Sequence, residues 1–264
     1  MSVFYLIGVG LHLRMISLEA LDILKNSCDY IFYEEYTSSS SEGSLKDLEK
    51  LIGRKMEKLY RRDLEDLSGE AIIKKIKEGG RVCLVSWGDP LIATTHVALA
   101  TRIMRMGYSI RYIPGVSSIT ASLSLTGLMI YRLGKVSTIT YPKDGILSEY
   151  PYLVLYDNIS RELHTIFLLE IDEEKKIFMN VKDALDILIE LERRFEKKVI
   201  SDDKLAIGLS IGSRSIICGG SIRYLRTVSI ERYPQILIIP AKLYFTEEEY
   251  LRSIGVLEDR CIEI

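Results

Sequence analysis

This sequence predicts an α/β chain of two domains, and three observations carry the prediction. Apolar runs of strand length alternate with amphipathic helical stretches through the first half of the chain. Glycine turns follow the strands at Gly8-Val9-Gly10, Gly88-Asp89-Pro90 and Pro114-Gly115. The composition, 47% hydrophobic and 27% charged over 264 residues, is that of a globular protein long enough to bury a sizeable core. Strand–helix alternation of this kind implies a mostly parallel sheet covered by helices.

Taken in order, Val3 to Val9 reads as a buried strand, and Ser17 caps a helix through Ser27 in which Leu18, Leu21 and Leu24 recur at helical spacing. Tyr30 to Tyr33 is a short strand, and the serine-rich stretch from Ser38 to Ser44 is a surface loop. Helices are expected over Leu45 to Leu51 and Gly69 to Lys77, with Gly79-Gly80 as a stop. Strand Arg81 to Ser86 runs into the Gly-Asp-Pro turn. A helix from Leu91 to Met106 follows, ending at Gly107 in the left-handed manner, with Thr94-Thr95-His96 in its first turns. Tyr108 to Ile113 is a further strand. The boundary falls near Pro114, giving domains 1–113 and 114–264.

The second domain alternates less regularly. Val116-Ser117-Ser118 caps a helix to Leu125. Val136 to Tyr141, Thr165 to Glu170, Leu205 to Ser210 and Gln235 to Pro240 read as strands, and Val181 to Lys197 as a strong helix. Ile216 to Arg226 is either a hairpin or a strand with a turn at Gly219-Gly220.

Charge and cysteine usage narrow the function. A net charge of −2 argues against a general nucleic-acid binder, which needs a basic surplus to displace counterions. Cys28, Cys83, Cys218 and Cys261 are far apart, so neither a disulfide framework nor a zinc site is expected. That usage suits a reducing, cytoplasmic setting. No signal peptide is read at Val3 to Ile7. The uncharged stretch Ile113 to Tyr131 is broken by Pro114, Gly115 and Gly127 and reads as a buried turn and helix, so no membrane span is expected.

The turns carry the chemistry. Gly8-Val9-Gly10-Leu11-His12-Leu13 starts like a dinucleotide-binding turn, but Leu13 replaces the third glycine. No P-loop, nucleophile elbow or zinc-protease motif occurs. Three strand-end turns with no nucleophile or proton-transfer set favour a reaction that needs positioning above all. Methyl transfer from a sulfonium is such a reaction, because the positive sulfur already activates the methyl. Asp89 has two readings, a helix cap or a carboxylate facing a ligand's amino group or sulfonium. His96 likewise is either a hydrogen-bonded structural residue or a base.

Taken together, Leu6-Ile7-Gly8-Val9-Gly10, Gly88-Asp89-Pro90 and Pro114-Gly115-Val116-Ser117-Ser118 resemble the tetrapyrrole methylase superfamily. Within it the chain is most similar to the diphthine synthases, through Glu35-Tyr36-Thr37-Ser38, the run Gly88 to His96, Thr126-Gly127-Leu128, Tyr131 to Lys135 and Leu163-His164-Thr165. The likeness continues in Asp202-Asp203, Gln235 to Leu243 and Glu249-Tyr250-Leu251. The resemblance implies two α/β domains, the first with a mostly parallel sheet and the second with a mixed sheet, and a ligand cleft between them. It implies S-adenosylmethionine as methyl donor, no metal, and methylation of the amino group of a modified histidine on translation elongation factor 2. A homodimer is expected on the same ground. Cofactor contacts carried over from the family fall on Leu11, Asp89, Ile92, Ser118, Ile119, Leu169, Ile211 and Gln235. At Gln235 the family commonly has a histidine, and Leu209 to Ser213 is one residue shorter than the family's segment. The competing readings are a methylase acting on a tetrapyrrole, a non-catalytic S-adenosylmethionine-binding regulator, and, weakest, a nicotinamide-dependent enzyme.

Overall fold

The computed structural model describes residues 2–36 and 39–264; Thr37 and Ser38 of the Glu35 to Ser38 motif lie outside the described residues. The chain divides into two compact units. One is Met1–Ser117 with Asp172–Lys176, and the other is Ser118–Ile171 with Ile177–Ile264.

The first unit runs β1 (Val3–Gly8), α1 (Leu18–Asn26), β2 (Tyr30–Glu34), α2 (Leu45–Ile52), β3 (Glu57–Leu59), α3 (Glu70–Lys77), β4 (Val82–Ser86), α4 (His96–Arg105) and β5 (Ser109–Ile113). Its sheet has the order β3-β2-β4-β1-β5, and every pairing is parallel. The alternation of β1 shows why both faces must be covered. Phe4 and Leu6 pack with Ile72, Ile73 and Ile76 of α3 and Leu99 and Ile103 of α4. Tyr5 and Ile7 pack with Ala20, Ile23 and Leu24 of α1 and Leu48 and Ile52 of α2. Each isoleucine side chain so buried contributes about 1.5–3 kcal/mol. Ser17 caps α1 by accepting from Ala20 N–H, as its position in the sequence predicts.

The second unit contains α5 (Ser118–Thr126), β6 (Ser137–Ile139), α6 (Tyr150–Ser160), β7 (Thr165–Leu169), β8 (Ile171–Asp172), β9 (Ile177–Phe178), α7 (Val181–Phe195), β10 (Leu205–Ser210), β11 (Ile216–Ser221), α8 (Ile222–Leu225), β12 (Ile236–Ile239), α9 (Phe245–Ser253) and β13 (Arg260–Glu263). Its main sheet, β13-β11-β10-β12-β7-β6, is mixed, with only β6 and β7 parallel. One core holds it together: Leu185, Leu188 and Leu191 of α7 and Tyr152 and Leu155 of α6 pack with Phe167, Ala206, Leu237 and Ile239 of the sheet. The α/β class with one parallel and one mixed sheet is therefore as expected.

Four expectations need correction. Helix α4 begins at His96, five residues later than Leu91, so Thr94 and Thr95 precede it and Asp89 does not cap it. Local chemistry explains the delay: Asp89 Oδ1 takes the Leu91 N–H at 2.9 Å, Thr94 Oγ1 donates to Pro90 O at 2.5 Å, and Ala93 is left-handed at φ 58°. No turn occurs at Gly219-Gly220; β11 runs through both, and α8 follows it directly. Strands β3 and β13 and helices α6 and α9 were not expected. Finally, the structure pairs Cys28 with Cys83 and Cys218 with Cys261. Separations of 55 and 43 residues hid a proximity that the sheets create. Cys218 and Cys261 are register partners on β11 and β13, and Cys28 lies just before β2, the neighbour of β4 that carries Cys83.

Among the described residues no helix is long and apolar enough to cross a membrane.

Candidate active site

The three glycine turns meet in the first unit. Strands β4, β1 and β5 are adjacent and parallel, so the turns that leave them share one edge of the sheet. Gly10 and Gly88 pair as a bridge, with Gly88 N donating to Gly10 O at 2.8 Å and Gly10 N to Gly88 O at 3.2 Å. A Cβ on Gly8 would stand 2.5 Å from Gly88 O and 2.6 Å from Gly115 N, and one on Gly115 would overlap Gly88 O. Only glycine lets the three backbones approach this closely. Gly88 differs from the other two. Its φ of 69° demands glycine, yet a Cβ there would face open space, with only Leu11 Cδ2 at 3.9 Å. The backbone beside Leu11 is thus accessible from one side.

Asp89 locks this arrangement. Its Oδ1 accepts from Leu91 N–H, and its Oδ2 accepts from Gly115 N–H at 3.2 Å and from the Tyr112 hydroxyl. The buried carboxylate therefore ties the β4 turn to the β5 turn. Burial, aided by Asp89, raises the Tyr112 pKa well above the ordinary phenol range and keeps the hydroxyl a donor. Ile92, in the following turn, is 41% exposed.

The remaining predicted residues lie in the second unit. Ser118 and Ile119 open α5. Leu169 ends β7, Ile211 follows β10, and Gln235 precedes β12. Because β12 runs antiparallel to both neighbours, these three share one end of the sheet. The Gln235 side chain is committed to the protein: Oε1 accepts from Val181 N–H at 2.9 Å, and Nε2 donates to Ile230 O at 2.5 Å. It thereby satisfies one of the free N–H groups at the start of α7. Two buried hydroxyls, Ser86 Oγ at the end of β4 and Ser210 Oγ at the end of β10, have no protein partner.

His96 and His164 are both buried and differ in their bonding. His96 Nδ1 lies 2.9 Å from Pro90 O, which can only accept, so Nδ1 donates. Its Nε2 is buried without a partner. His164 has both nitrogens occupied: Ala241 N–H donates to Nδ1 at 3.1 Å, and Nε2 donates to Glu247 Oε1 at 3.0 Å. Glu247 also accepts from Met129 N, Tyr244 N and Arg132 Nη1, at 2.8–2.9 Å. Burial lowers the His164 pKa against the opposing pull of Glu247. Burial works to raise that of Glu247, but its hydrogen bonds outweigh burial and hold it below the ordinary value. Glu247 drew no attention in the sequence, and Arg132 entered only as part of the Tyr131 to Lys135 motif. Glu247 meets His164 across 83 positions, and a single sequence shows no such pairing.

The chain matches known proteins over almost its whole length. The family model for tetrapyrrole (corrin/porphyrin) methylases matches residues 3–200. A diphthine synthase of Pyrobaculum islandicum is 37% identical over 256 residues, covering 96% of this chain and 99% of the relative. One of Sulfurisphaera tokodaii is 36% identical over 260 residues, covering 96% and 99%. A crystal structure of diphthine synthase superposes with a TM-score of 0.83 at 28% identity, covering 96% of this chain and 95% of that one. The chain thus belongs to the tetrapyrrole methylase family and, within it, to the S-adenosylmethionine-dependent methyltransferases of the diphthine synthase type.

Proposed function

We propose that this chain methylates the amino group of the modified histidine of translation elongation factor 2, the precursor of diphthamide, to give diphthine. The observation that carries the reading is end-to-end similarity to proteins of that name, 37% identical across 99% of the relative's length. Similarity of that extent favours a protein substrate over a tetrapyrrole. It also favours an enzyme over a regulator that only binds the methyl donor.

The residues present fit S-adenosylmethionine. Gly88 offers accessible backbone beside Leu11, Ile92 offers exposed apolar surface, and Ser86 and Ser210 hold unpartnered hydroxyls next to the predicted contacts. The holding residues would be those carried over from the family: Leu11, Asp89, Ile92, Ser118, Ile119, Leu169, Ile211 and Gln235. When bound, S-adenosylmethionine supplies a methyl group activated by its sulfonium. Asp89 acts by position: with its oxygens taken by Leu91, Gly115 and Tyr112, it fixes the backbone of two turns. Gln235 acts in the same way, fixing the start of α7. The acceptor amine must lose its proton before it can attack. From an ordinary amine pKa of about 10.4 that costs roughly 4 kcal/mol near pH 7, which binding in a desolvated pocket offsets.

The enzyme acts on elongation factor 2 in the cytoplasm, as a homodimer and without a metal. The test is transfer of labelled methyl from S-adenosylmethionine to elongation factor 2 bearing the aminocarboxypropyl-histidine precursor, with unmodified factor as control. Label on the precursor alone supports the reading, and mass spectrometry then counts the methyls. No label from a preparation that binds S-adenosylmethionine contradicts it.

A further inference from the structure

Thr94, Thr95 and His96 lie between the Gly88-Asp89-Pro90 turn and the body of α4, and two of them reach back to a single atom. Thr94 Oγ1 donates to Pro90 O at 2.5 Å, and His96 Nδ1 donates to the same oxygen at 2.9 Å. Pro90 is buried, and among the described residues no backbone N–H reaches its carbonyl. A carbonyl oxygen has two lone pairs, so the two side chains use its full capacity. Thr95 takes a different partner, Glu65 Oε1, at 3.4 Å.

The segment closed by these bonds contains Ala93 at φ 58°, a left-handed conformation that is unfavourable for a residue with a Cβ. Such outliers persist where the surroundings over-determine them, and they gather at functional sites. Here the chain is anchored twice. At one anchor the Asp89 carboxylate accepts from Leu91 N, Gly115 N and the Tyr112 hydroxyl. At the other, Thr94 and His96 hold the Pro90 carbonyl. Ile92 remains 41% exposed, so the anchors fix the backbone without covering its side chain.

We infer that Thr94 and His96 are positioning residues for the methyl donor: through the Pro90 carbonyl they hold the Asp89–Ile92 turn in the shape that receives it. This deepens the proposed reading and rests on its assignment of that turn to S-adenosylmethionine. Neither residue is required to touch the donor or to move a proton. A turn already in its binding shape takes its ligand more tightly, because less ordering is left for the moment of binding.

The test is S-adenosylmethionine affinity, measured by calorimetry on the full-length protein in two matched pairs of variants. Thr94→Val keeps the side-chain shape and removes the hydroxyl, whereas Thr94→Ser keeps the hydroxyl. His96→Asn sets an amide N–H close to the place of Nδ1, whereas His96→Gln sets it close to the place of Nε2. Loss of one hydrogen bond predicts a roughly three- to ten-fold rise in Kd for Thr94→Val and for His96→Gln. Thr94→Ser and His96→Asn should bind nearly as the parent does. Valine is closer to threonine in shape than serine is, so a loss confined to Thr94→Val traces to the hydroxyl and not to packing. In methyl transfer, Thr94→Val and His96→Gln should raise KM for S-adenosylmethionine and leave kcat near the parent's, a split that partial unfolding does not produce. Equal affinity within both pairs overturns the inference, and equality within one pair removes that residue from it. Ile92→Glu separates the inference from the reading beneath it. If Ile92→Glu weakens binding while neither pair differs, the turn holds the donor and the inference alone falls. If Ile92→Glu binds as the parent does, the assignment of the turn falls and the inference with it. If affinity follows the pairs but the modified factor takes no methyl, the inference stands and the methylation reading falls.

Discussion

His96 and His164 are equally removed from water, and the structure treats them in opposite ways. In the second unit His164 belongs to a closed network. Both ring nitrogens are bonded, and Glu247 accepts from four donors. Arg132 completes the set through Glu162 O at 2.9 Å and a stack on the Tyr244 ring at 3.8 Å. In the first unit His96 has one bond, and its second ring nitrogen is buried without a partner. A satisfied buried network fixes structure, whereas an unsatisfied buried group costs stability. Burial of a histidine therefore says little about its role; the accounting of its two nitrogens says much more.

The largest effect expected from breaking this contrast is at Glu247. Replacing it with alanine strands the buried Arg132 charge and removes the His164 partner, so the protein should lose about 3–5 kcal/mol, read as a lowered denaturant midpoint. An unchanged midpoint would mean the network is not structural. Next come the disulfides, one per unit. Cys28→Ala with Cys83→Ala, and separately Cys218→Ala with Cys261→Ala, should each cost about 2–4 kcal/mol by releasing loops of tens of residues. Free-thiol titration of the native protein checks the premise: no reactive thiol is expected before reduction. Smaller still is Gly115→Ala. The new methyl group collides with Gly88 O, and a loss of about 1–3 kcal/mol is expected together with weakened S-adenosylmethionine binding. Normal binding by calorimetry would detach the glycine turns from the methyl donor. The smallest effect is on pH. His164 has a folded-state pKa below its ordinary 6.5, so the unfolded chain takes up the proton first. Stability is held above about pH 6.5 and falls as pH drops below it, and His164→Gln should flatten that slope.

The comparison also shows which features a sequence can display. Periodicity made the parallel first unit readable. Ser17 capped its helix and Gly107 ended α4 as anticipated, because caps and left-handed glycines act over a few residues. The glycine turns were visible as turns, and parallel strand order alone was enough to bring them together. What escaped notice depends on distance or on local competition. The paired cysteines and the Glu247–His164 contact join positions 43 to 83 residues apart. Helix α6 begins with Pro151 at its first turn and buries Tyr152, a sequence that does not look amphipathic. The delayed start of α4 came from the side chains of Asp89 and Thr94 capturing backbone groups, which a count of apolar spacing misses. The unpartnered nitrogen of His96 was beyond any reading of the residues, since it depends on which atoms are absent around it.

The most direct test sets His96→Phe beside His164→Phe and measures, for each, the thermal midpoint and the methylation rate per folded molecule on the modified elongation factor. The His96 variant should keep its midpoint to within a few degrees, having lost one bond to Pro90 O. The His164 variant should do the reverse, with a clearly lowered midpoint and a rate per folded molecule near that of the parent. If His164→Phe keeps its midpoint, or His96→Phe loses as much stability as His164→Phe, the contrast between the two histidines is wrong.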